Sequence, residues 1–209
     1  MNDLEPSTTR QDAILDAAFQ TFAAYGYKRT TMDDIATAVG VSRAALYLHF
    51  RSKEDIFRSL AVRYFDQALI DMEAALLQPG QTMEQALYHS FVAKDGKFIE
   101  AVLSTPHGSE LLDVGFSVSL DLAVAGEARM VQVMARWLAA QGVPDDLGPP
   151  EVVASTMFAA LKGLKSRAIT LDDLKIGEAQ LARLVARAMD RPPPKQKTAV
   201  LALLGPVDV

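Results

Sequence analysis

Between residues 28 and 53 the chain collects the residue types that grip phosphate and touch bases: Lys28, Thr30, Thr31, Ser42, Arg43, Ala44, Ala45, Tyr47, His49 and Lys53. Hydroxyls and cations near helix starts gather phosphate oxygens. An arginine can pair bidentately with guanine, and an alanine offers only its methyl to thymine. Arg43, Ala44 and Ala45 are therefore the candidate base readers, with thin direct readout that phosphate positioning and DNA shape must supplement. This is binding chemistry, not bond-making. The chain has no cysteine, no Gly-rich phosphate loop, no nucleophile elbow and no HExxH spacing. No enzyme activity, no metal and no cofactor is expected.

Two short helices must hold these side chains. Thr31-x-x-Asp34 is a capping box opening the first, and Gly40-Val41 closes it. Ser42 starts the second, Arg43 to Phe50, barely two turns long. Ile35 and Val39 face a core, and Ala36 is small enough for the pair to cross closely. Leu46 and Phe50 face inward, which leaves Arg43, Ala44, Ala45 and Tyr47 outward. Two helices joined by a glycine turn make a helix-turn-helix, which lays its second helix in the DNA major groove. Thr9-x-x-Asp12 and Ser52-x-x-Asp55 are further boxes, beginning helices over 9–25 and from 52 to about 77. Each cap is worth about 1 kcal/mol.

The run T-M-D-D-I-A-x-x-x-G-V-S-x-x-x-L-Y-x-H-F-x-S-K-E-D, Thr31 to Asp55, resembles the N-terminal signature of TetR-type transcriptional regulators. The likeness covers about the first quarter of the chain; beyond it, only length and helical character match. The resemblance implies phosphate contacts for Thr31, His49 and Lys53, and a backbone or base contact for Tyr47. Without it, Thr31 is a helix cap, Tyr47 a core aromatic, His49 a structural or solvated histidine and Lys53 a surface charge. Lys28 and Arg29 are backbone contacts or merely solvated. The family also implies a bacterial, cytoplasmic, nucleoid-associated homodimer on a pseudo-palindromic operator, with recognition helices about one DNA turn, roughly 34 Å, apart.

Composition fits this picture. The 209 residues are 50% apolar and 22% charged, ordinary for a globular protein. No apolar run approaches the roughly 20 residues of a membrane span, and the N-terminus lacks a signal-peptide pattern. The net charge of −5 argues against a nucleic-acid partner until its distribution is considered. From Lys28 to Lys53 five basic residues stand against two acidic ones, so the rest of the chain carries −8. A modest basic face on an acidic body holds DNA at one end and repels it elsewhere.

The remainder reads as helices near 82–94, 97–105, 108–140, 149–169 and 175–191, with a break of the third at Gly115 or Gly126 left open. The fold class is all-α: a three-helix DNA head over 1–51, a helical dimerisation and ligand domain over 52–191, and a Pro-rich tail over 192–209. The tail's apolar patch, Ala199 to Leu204, is either a docking arm or poorly ordered chain. Val152, Ser155, Thr156, Ala159 and Gly163, with Leu181, Leu184, Val185 and Ala188, are the candidate dimer face; an ordinary intrachain core has the same periodicity. Phe91, Phe98, Phe116, Met130, Met134 and Trp137 are candidate liners of an effector pocket, or plain core. His89 and His107 read as surface residues, and Asp113 and Asp121 as a solvated face. The expected function is a repressor released from its operator by a small, largely apolar ligand. The alternative is an architectural DNA-binding protein with no inducer, acting through a protein partner.

Overall fold

The computed structural model describes residues 7–190, without the side chains of residues 7–9, 97, 109, 112, 113, 115 and 116. The expectations for the 192–209 tail and for the side chains of Thr9, Asp113 and Phe116 lie outside the described residues. Within them the chain forms nine α-helices and no strand: α1 (Ser7–Tyr25), α2 (Met32–Val39), α3 (Arg43–His49), α4 (Lys53–Leu77), α5 (Met83–Ser104), α6 (Gly108–Val118), α7 (Leu120–Gln141), α8 (Pro150–Arg167) and α9 (Leu171–Met189). The all-α expectation is met.

The head forms where the caps place it. Thr31 Oγ1 accepts from the Asp34 amide at 3.2 Å while Asp34 accepts from the Thr31 amide at 2.8 Å. Gly40 ends α2 in the left-handed region, at φ 77°, which a side chain would disfavour. Ser42 then caps α3 by accepting from the Ala45 amide at 3.1 Å. Ile14, Ala18, Phe22, Ile35 and Leu46 close the core between α1, α2 and α3.

That core does not stop at residue 51. Ile56 and Phe57 of α4 join it, as do Val102 of α5 and Leu111 and Val114 of α6. Further along, Ala68, Met72 and Leu76 of α4 enter the body core with Leu87, Phe91, Met134, Leu138 and Leu161. A single helix is therefore built into both cores. Full burial of each such side chain stabilises by about 1.5–3 kcal/mol, so α4 cannot shift in one core without disturbing the other.

Three boundaries differ from expectation. The long segment over 108–140 breaks at Ser119, not at either glycine. Gly126 stays helical and buried, and a Cβ there would collide with the Phe65 ring, so it serves the close approach of α7 to α4. The start of α9 is Leu171, four residues before the expected 175, because Thr170 and Asp173 form a further capping box. In α1 the helix already runs at Ser7, which puts Thr9 inside it and not at its cap. The interruption between 94 and 97 is present: Gly96 sits at φ 50°, ψ −157°, a conformation open essentially to glycine alone.

Candidate functional site

The outward face of the head carries most of the expected contact residues. Thr31, Ser42, Arg43, Ala44 and Tyr47 are exposed, and Ala45 and His49 are half-buried. Arg43 is held at 2.9 Å by Asp33 of α2 and lies over the Tyr47 ring, its guanidinium carbon 5.5 Å from the centroid. Both partners of that ion pair are well exposed, so it is worth at most about 1 kcal/mol and does not lock Arg43 in place. Leu48, 86% exposed, was not singled out from the sequence. Its position was legible, because Leu46 and Phe50 fill the inner stripe on either side.

Two residues are placed differently from their neighbours. The Thr30 side chain is buried, and its hydroxyl donates to the Gly26 carbonyl at 2.8 Å, so in the free protein it is turned away from any DNA surface. Lys53 is half-buried. Its ammonium donates to the carbonyls of Tyr27 at 2.7 Å, Thr30 at 2.8 Å and Lys28 at 3.4 Å, and lies 4.4 Å from the Tyr27 ring centroid. Burial lowers its pKa, and the nearby Glu110 carboxylate acts the other way. Lys53 thus ties down the loop that leads into α2.

The same loop is held from the body. Glu110 of α6 accepts from the Lys28 amide at 2.8 Å, and the Arg29 guanidinium meets the His107 ring. Gly26, at φ 85°, leaves room for the Glu110 carboxylate where a Cβ would collide. His107 is accordingly half-buried at this junction, whereas His89 is on the surface as expected. Asp121 is exposed, but it is bound by Arg58.

Behind the head lies a cavity of about 650 Å³ bounded by α4, α5, α6, α7 and α8. Of the expected liners, Phe98 and Met130 border it. Phe91 and Met134 are not among its walls and are wholly buried in the body core. Trp137 packs there too, its indole N–H donating to the Leu76 carbonyl at 3.2 Å. The sequence reading missed the polar wall: Tyr64, Lys94, Asp95, Ser119 and Lys165. Lys94-Asp95-Gly96 was legible only as a helix end, since nothing local reveals that charged residues face inward. Burial pushes the Tyr64 phenol up to about 12.

On the far side, α8 buries Ala154, Met157, Phe158 and Leu161 and exposes Val152, Ser155, Thr156, Ala159 and Gly163. The Ser155 and Thr156 hydroxyls both donate to the Val152 carbonyl, at 3.0 and 2.8 Å. Leu184 and Ile176 of α9 are exposed at 56% and 69%, so apolar surface continues across both helices. Leu181 and Val185 pack against the body core, and Ala188 is half-buried.

Residues 14–60 match the family model described as bacterial regulatory proteins, tetR family. The chain is 32% identical over 116 residues to the HTH-type transcriptional repressor ComR of Escherichia coli (strain K12), covering 56% of this chain and 54% of that protein. Over 56 residues it is 43% identical to IcaR, the biofilm operon icaADBC HTH-type negative transcriptional regulator of Staphylococcus aureus (strain Newman), covering 27% of this chain and 30% of that one. The chain thus spans about half the length of the first relative and under a third of the second. A TetR-family regulator from Mesorhizobium loti MAFF303099 superposes with a TM-score of 0.65 at 22% identity, over 85% of this chain and 95% of that one. At that identity the likeness is one of fold.

Proposed function

The chain belongs to the TetR family of bacterial transcriptional regulators, and from that premise we propose that it is a homodimeric, sequence-specific repressor released from its operator by a small ligand. The observation that carries the DNA-binding part is the face of α3, where Arg43, Ala44 and Tyr47 are exposed on a helix fixed by caps at both joints. Thr31 and Ser42 supply helix N-termini for phosphate. Lys53 contributes by holding the loop before α2, with its charge close behind the phosphate-facing surface. The names of the curated relatives, a repressor and a negative regulator, favour repression. Among the described residues no helix is long and apolar enough to cross a membrane.

The exposed small-residue stripe of α8 and the apolar surface of α9 suit a symmetric four-helix contact between two copies, in which Ala159 and Gly163 let the helix axes approach closely. Among the described residues, no atom beyond its own turn of helix lies within 4 Å of where a Gly163 Cβ would be, so that space is open to a partner.

Ligand response is supported by the cavity, which falls within the usual range for small-molecule sites, about 300–1,000 Å³. Its walls include α4, whose Ile56 and Phe57 sit in the head core, and the Ser119 junction, which Arg58 of α4 holds through Val118 and Asp121. A ligand that displaces them moves α4, and with it the spacing of the two heads. Such coupling is typically about 1–3 kcal/mol. The architectural alternative calls for a solid core in the body, and a cavity of this size favours the ligand-responsive reading.

The test is binding of the purified protein to DNA flanking its own gene, with salt varied and Tyr47→Ala as control. Saturable binding that prefers one sequence, weakens with salt and is lost in the variant is expected. Equal weak binding to every sequence contradicts sequence-specific control.

A further inference from the structure

One wall of the cavity is charged. Lys94 and Asp95, 3% and 5% exposed, sit at the Gly96 break of α5, and the Lys94 ammonium donates to Asp95 Oδ1 at 2.6 Å. Lys165 reaches the same oxygen from α8. Glu178 of α9, 1% exposed, turns its carboxyl toward Asp95. Burial first, and the Asp95 charge second, push Glu178 up to about 8, so it is predominantly the neutral acid near pH 7. Tyr64 of α4, the remaining titratable group facing the cluster, is neutral as well. By position, Lys94, whose own pKa burial lowers to about 8, and Lys165 both pair with Asp95, so two amine heads share one carboxylate.

A buried charge without a counterion is costly. Each ammonium has three N–H donors and points one at Asp95, and among the described residues no further carboxylate makes an ion pair with either. Ser119 Oγ, 1% exposed, borders the same cavity, and among the described residues it has no hydrogen-bond partner, nor do Asp95 Oδ2 and Glu178 Oε1. Glu127, half-buried, and the exposed Glu151 and Lys162, whose charges water screens, also line the cavity. Beyond these polar groups and Gln132 the walls are apolar. Such a site rejects a cation, which would add a third positive charge, and rewards an anion that brings its own hydrocarbon.

We propose that the effector is an amphipathic monoanion, a carboxylate on an apolar chain or ring system, its head seated against Lys94 and Lys165 and its body along Phe98, Leu111 and Met130. This rests on the reading of the cavity as an effector site, and it names the chemistry of that effector.

Three probes of matched length separate the possibilities: decanoate, decanol and decyltrimethylammonium, each below its micellar range. Each is titrated against the full chain with Nile red as a neutral competitor for the cavity, and in parallel against the chain on its operator DNA. Decanoate is expected to displace the dye about tenfold better than the other two, the scale of one sheltered charge-assisted hydrogen bond. Lys165→Met should remove that preference while keeping decanol affinity within about twofold, the retained binding showing that the variant folds. If decanol or the ammonium binds and releases DNA as well as decanoate does, the anion proposal fails and ligand response stands. If none displaces the dye, both readings fail.

Discussion

Arg58 of α4 grips Asp121 of α7 with two hydrogen bonds, at 2.9 and 2.7 Å, and its guanidinium also donates to the Val118 carbonyl at 2.7 Å. One arginine therefore links the helix that enters both cores to the break between α6 and α7. It also holds the Asp121 carboxyl down at about 2. Ser119, inside that break, faces the cavity. On the proposed ligand response, pressure on the junction would reach α4 through this bidentate contact, which is directional.

Arg58→Ala should separate binding from signalling. DNA affinity without ligand is expected to stay within about threefold of the native chain, while the change in affinity at saturating ligand falls by about fivefold or more. Fluorescence anisotropy on labelled operator, with and without ligand, reads both quantities. Equal loss of affinity in both states would mean that Arg58 merely stabilises the fold.

Lys53→Met tests the loop. The substitution keeps the aliphatic stem and removes donors to the Tyr27, Thr30 and Lys28 carbonyls. Buried carbonyls left without donors cost about 1–3 kcal/mol in total here, so the thermal midpoint should fall and DNA binding should weaken with it. A variant of native stability whose salt dependence on DNA drops by about one contact would instead make Lys53 a direct phosphate clamp.

Ala159→Arg tests the dimer face. Ala159 is exposed on the α8 stripe and lies outside the chain's own core. Sedimentation should report a folded monomer, with DNA binding weakened by loss of the second head. A variant that remains dimeric places the interface elsewhere.

The Glu178 carboxyl predicts a pH window. Its folded-state pKa is pushed up to about 8 from an ordinary 4.5, so between those values the folded chain holds a proton that the unfolded chain has released. Stability from this group is complete below pH 4.5 and is lost as pH rises toward 8. Lys94, lowered to about 8 by burial and then by Lys165, has the opposite sign and acts only above that pH. Glu178→Gln keeps a neutral side chain and should flatten the window, gaining on the order of 1–3 kcal/mol relative to the native chain at pH 8. Urea midpoints at pH 5.5 and 8 decide it; an unchanged difference between the two would contradict the protonated state.

The head was legible because its signals are local. Thr31 with Asp34, Gly40 and Ser42 each fix a boundary through contacts within four residues, and the spacing of Ile35, Leu46 and Phe50 then determines which face turns outward. The break of α5 at Gly96 was legible for the same reason. The cavity wall was not. Lys94 and Asp95 meet Lys165 from about seventy positions away and Glu178 from about eighty, and no local pattern distinguishes an inward lysine from a solvated one. Of the aromatic and methionine residues, Phe98 and Met130 border the cavity while Phe91 and Met134 fill the core beside it. Helical spacing alone treats the four alike. The role of Gly126 was hidden similarly, since the Phe65 ring it packs against lies on a different helix.

The central claim is that α3 reads a specific operator as one half of a symmetric pair. A nuclease footprint on DNA flanking the gene tests it most directly, with the native chain and Tyr47→Ala compared at the same salt. The account predicts one protected pseudo-palindrome whose half-sites lie about one DNA turn, roughly 34 Å, apart or slightly more, with protection abolished in the variant. Uniform protection along the whole fragment, or a footprint unchanged by Tyr47→Ala, would contradict it.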